Sequence, residues 1–223
     1  MPICNICQCE DFLEFSGRSA AQCSSCQSLE RHRLVYVVLS DLGFVDSKKC
    51  LGLKRALHLA PEIMTYKYLA PVFGAGYVTS DMYPEKYPYS QSLRLALPDG
   101  FNVFPDNYFD LILHNHVLEH IPGCFKEHID EFTRILKIGG SMVFTIPGVR
   151  QDIDSIEGGE NLPSDEERLK YHGQRDHYKT FGKDLYQHMD SKNGLFNEAS
   201  IFEEIRNSIS APKDIVYVFT KYS

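Results

Sequence analysis

The stretches 104-FPDNYFDLILHNHVLEHIP-122 and 132-FTRILKIGGSMVFTIP-147 predict a strand, a polar turn, a helix and a second strand, in that order. Residues 109–113 are a short apolar run of the kind found in buried parallel sheets. Apolar residues then recur at helical spacing over 125–136. Gly139 and Gly140 are expected to cap that helix before a strand over 141–146. Because open α/β sheets bind ligands at the carboxyl ends of their strands, the histidine-rich turn after residue 113 is expected to border a ligand site.

The composition is that of a folded α/β protein. With 223 residues and 43% hydrophobic content, the chain is long enough for one such domain and a small appendage. Its 23 basic against 30 acidic residues give a net charge of -7, which disfavours a nucleic-acid partner, although a local basic patch would be compatible. No apolar run approaches the roughly 18 residues of a membrane span. The first residues lack a secretory pattern, so we expect a cytoplasmic protein.

An N-terminal cysteine pattern predicts a structural zinc ribbon over residues 1–28. Two C-x-x-C pairs are separated by 15 residues, a spacing that closes a tetrahedral site around zinc. The predicted ligands are Cys4, Cys7, Cys23 and Cys26. Unliganded cysteines or a redox pair are the alternatives, and Cys9 is a second-choice ligand. Cys50 and Cys124 are expected to be ordinary small residues. A unit this short needs metal binding to supply folding free energy.

The ribbon is followed by a predicted connecting helix over 29–42, with Ser28 as its N-cap and Gly43 as its C-cap. The first turn carries Arg31 and Arg33. They form either a solvated cationic face or a clamp for an anionic substrate, because guanidinium groups bind phosphate and carboxylate with two donors.

The segment before the opening stretch predicts the other half of the sheet. Strands are expected over 56–60, 77–81 and 93–97, while Gly74-Ala75-Gly76 precedes a strand and is therefore a turn. Asp81 lies 21 residues past the end of the first strand. In nucleotide-binding α/β folds an acidic residue about 20 residues on accepts the ribose hydroxyls. The alternative role for Asp81 is a helix N-cap.

The motifs PDN-x-FD, HVLEH and LK-x-GG, in that order, resemble recurring pieces of class I methyltransferases that use S-adenosylmethionine (SAM). C-x-x-C-x-SLERHR, LH-x-APE and GQ-x-DH resemble a bacterial sub-group with an N-terminal Cys4 zinc ribbon. The resemblance covers nearly the whole chain. It implies a methyltransferase domain over 29–223 with a Rossmann-like three-layer α/β fold and a mostly parallel seven-stranded sheet whose last strand is antiparallel. A helix over 183–191 and strands near 195–201 and 215–221 would complete it.

The resemblance also implies a SAM site, although Ala60-Pro61-Glu62 stands where the family usually has a glycine-rich turn. Glu62 would pair with the ammonium group of SAM, or it is a helix-terminal residue favoured by the helix dipole. The cofactor contacts that the resemblance implies are Ala60, Pro61, Glu62, Asp81, Asp99, Asn115 and His116.

Residues 147–181 form a long irregular region, which predicts a substrate lid. Within it Ser164 and Glu167 predict a capped helix. His177, with Asp176 beside it, is a candidate general base because histidine titrates near neutrality, and His116 is a second catalytic candidate. The alternative for His177 is a hydrogen-bonded surface histidine. His114 and His120 are expected to be structural, and a catalytic metal is disfavoured because H-x-H-x3-H lacks a nearby carboxylate in a recognised order.

These features predict methyl transfer from SAM to a small molecule, at a hydroxyl of a sugar, nucleotide-sugar or related metabolite. If Arg31 and Arg33 face the site, the acceptor is anionic. One alternative is an RNA or protein methyltransferase that docks its substrate on the zinc ribbon. The other is a non-catalytic SAM-fold module, which the altered Ala-Pro-Glu turn would favour.

Overall fold

The computed structural model describes residues 1–45, 54–189, 193–211 and 214–223. Cys50 and the end of the helix predicted over 183–191 lie outside these residues. A two-stranded antiparallel hairpin at the N-terminus consists of β1 (Phe12–Phe15) and β2 (Arg18–Cys23). No helix in the described part of the chain is long and apolar enough to span a bilayer.

The main sheet has seven strands in the described residues. They are β3 (Ala56–Leu59), β4 (Tyr77–Asp81), β5 (Leu93–Arg94), β6 (Phe109–Asn115), β7 (Leu136–Thr145), β8 (Gly194–Glu198) and β9 (Tyr217–Lys221). Their order is β5-β4-β3-β6-β7-β9-β8. The first five are parallel, and β9 is antiparallel to both of its neighbours. The predicted mixed sheet with one antiparallel closing strand is thereby confirmed.

Helices cover both faces of this sheet, because alternate residues of each strand point to opposite sides. On one face Leu111 and Leu113 pack in a cluster with residues of α1 and α2. On the other face Ile112 packs in a cluster with residues of α3 and α5. The helices are α1 (Glu30–Asp41), α2 (Ile63–Phe73), α3 (Phe125–Ile135), α4 (Asp165–His172), α5 (Leu185–Met189) and α6 (Glu203–Ser208). The predicted connector α1 is therefore part of the domain core.

The prediction for Gly139 and Gly140 is wrong. Helix α3 ends at Ile135, and its C-cap Leu136 is already the first residue of β7, so both glycines lie inside that strand. Phe109 pairs with Leu136 while Leu111 pairs with Ser141, so β7 carries extra residues that form a bulge. Gly139 has a φ of 76°, and a Cβ on Gly140 would lie 2.9 Å from the carbonyl oxygen of Lys137. The glycines are needed for the bulge and do not cap the helix.

Two further boundaries differ from the prediction. The N-cap of α1 is Leu29, not Ser28, because the Ser28 hydroxyl is directed at the cysteine cluster, 3.4 Å from Cys4 Sγ. Strand β5 is limited to Leu93–Arg94. The capped helix in the lid is as predicted, since Ser164 Oγ accepts a hydrogen bond from the backbone N–H of Glu167.

His114 is a buried histidine on β6. Its ring stacks on Phe132 and Phe144, with ring centroids 5.2 and 5.0 Å away, and neither ring nitrogen has a hydrogen-bond partner among the described residues. Burial, and then the nearby His58, lowers the pKa of His114 to about 3. His114 is therefore neutral in the folded protein at pH values at which a free histidine is already protonated.

We expect His114→Phe to flatten the pH dependence of stability below neutrality. The unfolded chain protonates His114 below about pH 6.5 and the folded chain does not, so stability falls by about 1.4 kcal/mol per pH unit as the pH drops towards the folded value. The phenylalanine variant lacks this loss. Urea unfolding at pH 7.5 and 5.0 measures the effect, and a packing cost of the larger ring would appear equally at both pH values. Identical pH slopes in the two proteins would contradict the prediction.

Candidate functional site

A cavity of about 470 Å³ lies at the carboxyl ends of the central parallel strands. This is the edge at which open α/β sheets bind ligands. A smaller cavity of about 330 Å³ borders Asp106 and Asn107, which precede β6 at the opposite edge. Turns after β3, β4 and β6 and two lid residues line the larger cavity; its lining includes Leu59, Ala60, Ser80, Asp81, Leu95, His116, His120, Ile121, Asp176 and Tyr178.

Two of the turns that line this cavity contain residues in the left-handed region of backbone space. Ala60 follows β3 with a φ of 47°, and His116 follows β6 with a φ of 51°. Their N–H groups donate to Ser80 and Thr145 carbonyl oxygens, each at 2.9 Å, which holds the turns in place. Left-handed residues other than glycine are uncommon and cluster at functional sites. The Ala-Pro-Glu turn thus adopts a backbone conformation that a glycine would readily supply.

Asp81 ends β4 and lines the cavity. Its Oδ1 accepts a hydrogen bond of 2.6 Å from the backbone N–H of Tyr83, which fixes the orientation of the carboxylate. The Tyr87 hydroxyl lies near Asp81. Burial, and then the charge of Asp81, raise the pKa of that hydroxyl. Asp81 is therefore an oriented acceptor at the predicted position.

Glu62 joins α1 to the end of β6. Its Oε1 accepts from Arg31 Nε at 3.3 Å and lies 2.9 Å from His32 Nε2, while Oε2 accepts from Asn115 Nδ2 at 2.7 Å. Thr145 Oγ1 in turn donates to Asn115 Oδ1 at 3.0 Å. Burial would raise the pKa of Glu62, but His32, Arg31 and Asn115 outweigh it and lower that pKa to about 2. Glu62 is ionised, and Arg31 is held by it.

The predicted cofactor residues separate into two groups. Ala60, Asp81 and His116 line the cavity. Pro61, Glu62 and Asn115 do not line it, although Pro61 follows Ala60 and Asn115 precedes His116 in the chain. Asp99 lies in a short 3-10 turn (Asp99–Val103) and is not part of the lining.

The long irregular region over 147–181 brings His177 to a short 3-10 turn after β6 (Leu118–His120). Glu119, His120 and His177 present ligand atoms that all lie within 4.8 Å of one another. The Tyr178 N–H donates to the Glu119 carbonyl oxygen at 2.7 Å, and His120 Nδ1 lies 3.0 Å from the Asp176 carbonyl oxygen. The sequence predicts only that Glu119 and His120 begin the next helix, but that helix begins at Phe125, and no site role was predicted for Glu119. The sequence does contain an acidic residue beside His120 and a second histidine at position 177, but no local pattern indicates that these residues meet in the fold.

His177, the predicted base, is buried and lies behind His120, whose ring centroid is 4.8 Å away. Burial is the main cause that lowers the pKa of His177. His116 is more accessible and lines the cavity, with Nδ1 3.3 Å from Glu119 Oε1. Asp176 also lines the cavity.

The proposed substrate role of Arg33 conflicts with its position. Its side chain is 0% exposed. Nε donates to the Ile209 carbonyl at 2.6 Å, and the terminal nitrogens donate to the carbonyls of Ser28, Ala21 and Ser210 at 2.6, 3.0 and 2.7 Å. Arg33 thus bridges the N-terminal unit, α1 and the chain after α6. Arg33 is therefore a buried residue that links three segments of the chain, and it does not lie on a solvated cationic face.

Cys4, Cys7, Cys23 and Cys26 form a compact group in which all sulfur atoms lie within 4.8 Å. Cys4 and Cys26 Sγ are 3.6 Å apart, and Cys7 and Cys23 Sγ are 3.5 Å apart. Sulfurs that bind one zinc tetrahedrally at about 2.3 Å are separated by about 3.8 Å, so the cluster is close to the geometry that zinc requires. Cys9 lies outside it, with its sulfur 3.4 Å from Ser24 Oγ.

The backbone also suits a metal-binding pair of turns. Gln8 N–H donates to the Cys4 carbonyl at 2.7 Å, and Gln27 N–H donates to the Cys23 carbonyl at 2.9 Å. Both glutamines have positive φ, 64° and 62°. Burial opposes ionisation of Cys4, but hydrogen bonds from Ser28 and from the backbone of Cys7 and Ile6 lower its pKa to about 7. Each C-x-x-C pair therefore forms a closed turn with its sulfurs directed to a common centre.

Comparison with known proteins agrees with this geometry. Residues 74–144, which include β4, β6 and most of β7, match the protein-family profile described as "Methyltransferase domain". This match, together with the fold, supports a methyltransferase enzyme with the class I, SAM-dependent fold. Among curated proteins, none matches the chain at a significant level.

Solved structures share the fold of this methyltransferase domain. A 1,6-didemethyltoxoflavin-N1-methyltransferase from Burkholderia thailandensis, with S-adenosylhomocysteine bound, has a TM-score of 0.55 at 14% identity over 87% of this chain and 79% of that one. The CurJ carbon methyltransferase has a TM-score of 0.54 at 14% identity over 88% of this chain and 56% of that one. A SAM-dependent methyltransferase from Archaeoglobus fulgidus has a TM-score of 0.50 at 13% identity, over 86% and 94%. At these identities the likeness establishes the fold alone.

Proposed function

We propose that this methyltransferase transfers the methyl group of SAM to a hydroxyl oxygen of a small molecule in the 470 Å³ cavity. The observation that carries the proposal is that one cavity is lined both by Asp81, an oriented hydrogen-bond acceptor at the end of β4, and by His116 and His120, which follow β6. The cavity also lies at the point where the chain order reverses between β3 and β6, and its volume is in the range of small-molecule pockets.

The residues present fit SAM. Asp81 would accept the ribose hydroxyls, and the left-handed turns at Ala60 and His116 would bring backbone close to the cofactor. Glu62 is ionised and would attract the ammonium group of the methionine portion, with Arg31, His32 and Asn115 fixing its position. When bound, SAM supplies a methyl group already activated for displacement. The task of the chain is then to position the acceptor and to take up its proton.

His116 is the better of the two predicted bases. It lines the cavity, its side chain is 41% exposed, and Glu119 Oε1 lies 3.3 Å from its Nδ1. A carboxylate beside Nδ1 orients the ring, which leaves Nε2 to accept a proton. His177 and Asp176 would act from the lid side, where Asp176 also holds His120. The tie between Tyr178 and Glu119 supports a lid that helps to exclude water from the acceptor.

The acceptor need not be anionic. Arg33 donates its hydrogen bonds to backbone carbonyl oxygens, and Arg31 is paired with Glu62. The two cations predicted to bind phosphate or carboxylate therefore already have partners within the protein. A sugar or related polyol hydroxyl therefore fits at least as well as a nucleotide-sugar. We further propose that the four-cysteine cluster holds a structural zinc, because four thiolates would leave no open position for chemistry.

The other two functions have less support. Docking of RNA on the ribbon is opposed by the net charge of -7. A non-catalytic module was favoured by the absence of glycines after β3, but Ala60 provides the left-handed turn without them.

The test is SAM affinity in Asp81→Asn, measured by calorimetry. This change removes the charge that would accept the ribose hydroxyls, and hydrogen bonds to a charged group contribute about 1.5–3 kcal/mol each, so we expect affinity to fall by about 30-fold. Asp130→Asn, which changes an exposed carboxylate paired with Lys126 on α3, is the matched control and should bind SAM as the unmodified protein does. SAM affinity within threefold of normal in Asp81→Asn would contradict the proposed site. A screen of sugars and nucleotide-sugars with labelled SAM then identifies the acceptor.

A further inference from the structure

Glu119 is a buried carboxylate without adequate compensation. Its side chain is essentially inaccessible, and neither carboxylate oxygen accepts a hydrogen bond from the described residues. The imidazole Nδ1 of His116 lies 3.3 Å from Oε1. The buried Lys179 also interacts electrostatically with Glu119, but its Nζ donates its hydrogen bond to the Ile121 carbonyl oxygen. A buried carboxylate normally gains several donors or a bound cation, so this one points to a missing positive partner.

Two imidazoles lie where that partner would bind. His120 and His177 have ring nitrogens within 4.8 Å of a Glu119 carboxylate oxygen and of each other. His120 Nδ1 is 3.0 Å from the Asp176 carbonyl oxygen and 3.5 Å from its carboxylate, which leaves Nε2 for a ligand bond. A histidine whose second ring nitrogen is held by a carbonyl or carboxylate is the common arrangement around protein-bound metals.

We infer that Glu119, His120 and His177 bind a divalent transition-metal cation of the Zn²⁺ or Mn²⁺ class. Two imidazoles and one carboxylate suit these ions and leave coordination positions open. Ligands at about 2.1 Å from one ion lie no more than about 4.2 Å apart, so binding needs a contraction of under about 1 Å. Of these three residues His120 lines the cavity, as do Asp176 and Tyr178, so the cluster adjoins the cavity.

A cation at this site would assist the proposed methyl transfer, and its catalytic role rests on that proposed function. A cation beside the acceptor withdraws electron density from the hydroxyl oxygen and makes its proton more acidic. That proton passes to His116 Nε2. The oxygen lone pair then forms the new C–O bond to the methyl carbon, the C–S bond breaks, and its electron pair stays on sulfur. No redox change occurs, and the cation is returned unchanged.

Mn²⁺ is the probe that separates this site from the cysteine cluster, because a hard cation avoids four thiolates. Titration followed by electron paramagnetic resonance is expected to show one bound Mn²⁺ per chain. Glu119→Gln, His120→Gln and His177→Gln should each weaken binding at least tenfold. His188→Gln is the matched control, since His188 pairs with Asp184 away from the cluster. His120→Gln is the variant most compatible with folding, because this side chain is 36% exposed.

The inference is overturned if the intact protein binds no Mn²⁺, or if folded His120→Gln binds it with unchanged affinity. Activity distinguishes this failure from failure of the proposed function. If SAM binds and an acceptor is methylated equally well with and without added cation, the metal role is wrong and the methyl transfer stands. If SAM does not bind, the proposed function fails, while the Mn²⁺ titration still reports on the site.

Discussion

Replacement of Cys23 by serine is expected to release the zinc proposed for residues 1–28, the cysteine module, and to unfold that module. Cys23 is fully buried, and its sulfur lies 3.5 Å from that of Cys7. Apart from Cys4, Cys23 and Ser28, Ala21 is the buried residue of the module, so it has almost no apolar core. Metal binding to thiolates in small domains contributes about 10–16 kcal/mol, which is the free energy that would fold this module.

Metal analysis and limited proteolysis measure the effect. The unmodified protein should contain one tightly held zinc and resist cleavage within residues 1–28, whereas Cys23→Ser should lose the zinc and be cut there. Cys9→Ser is the matched control, because Cys9 lies outside the group of four sulfurs. A Cys23→Ser protein that keeps full zinc content and protease resistance would show that the cluster does not fold the module.

Unfolding of the module should also weaken the domain to which it is attached. The Ile3 N–H donates to the Ser208 carbonyl at 2.6 Å, and Asn5 Nδ2 donates to the Arg33 carbonyl at 2.9 Å. Ser210 Oγ donates to the Ala20 carbonyl at 2.7 Å. These contacts join the module to α1, to the last residue of α6 and to the chain directly after α6. The module therefore fastens two distant segments of the methyltransferase domain.

Elements with a strong local pattern were predictable from the sequence. Strand β4 coincides with the predicted 77–81, and α3 differs by one residue from the predicted 125–136, because apolar alternation and helical spacing are properties of short segments. The bulge at Gly139 was not predictable, since a Gly-Gly pair after a helix suits a C-cap as well as a strand irregularity. Which one forms depends on the pairing of β7 with β6, a long-range feature.

The candidate site shows the same division. Asp81 was predicted at the end of a strand, and in the structure it ends β4 and lines the cavity. This position was predictable because it depends on one strand and the turn that follows it. The meeting of Glu119 with His177 depends on the path of the lid, which carries no periodic pattern. The burial of Arg33 was not predictable from its charge, since an exposed cation and a buried one bonded to carbonyls have the same local sequence.

Arg33→Met should destabilise the protein by about 4 kcal/mol, because it leaves several buried carbonyl oxygens without donors. Those of Ala21, Ile209 and Ser210 belong to segments that α1 must hold together. The thiolates of a zinc-bound cluster would also lose a nearby positive charge: burial lowers the pKa of Arg33, while the charge of Cys4 opposes that shift. At roughly 2–4 °C per kcal/mol for a chain of this size, the melting temperature should fall by about 10 °C.

The neighbouring Arg31→Met is the matched control, because Arg31 makes one partly exposed ion pair with Glu62 and should cost about 1 kcal/mol or less. Arg33→Lys separates charge from geometry: it keeps the cation but cannot direct donors to four carbonyls at once, so it should lose most of the same stability. Calorimetric melting of the three variants, together with KM for the acceptor where they remain folded, decides between the two roles of Arg33. A normal melting temperature with a raised KM in Arg33→Met would restore the anion clamp and refute the structural role.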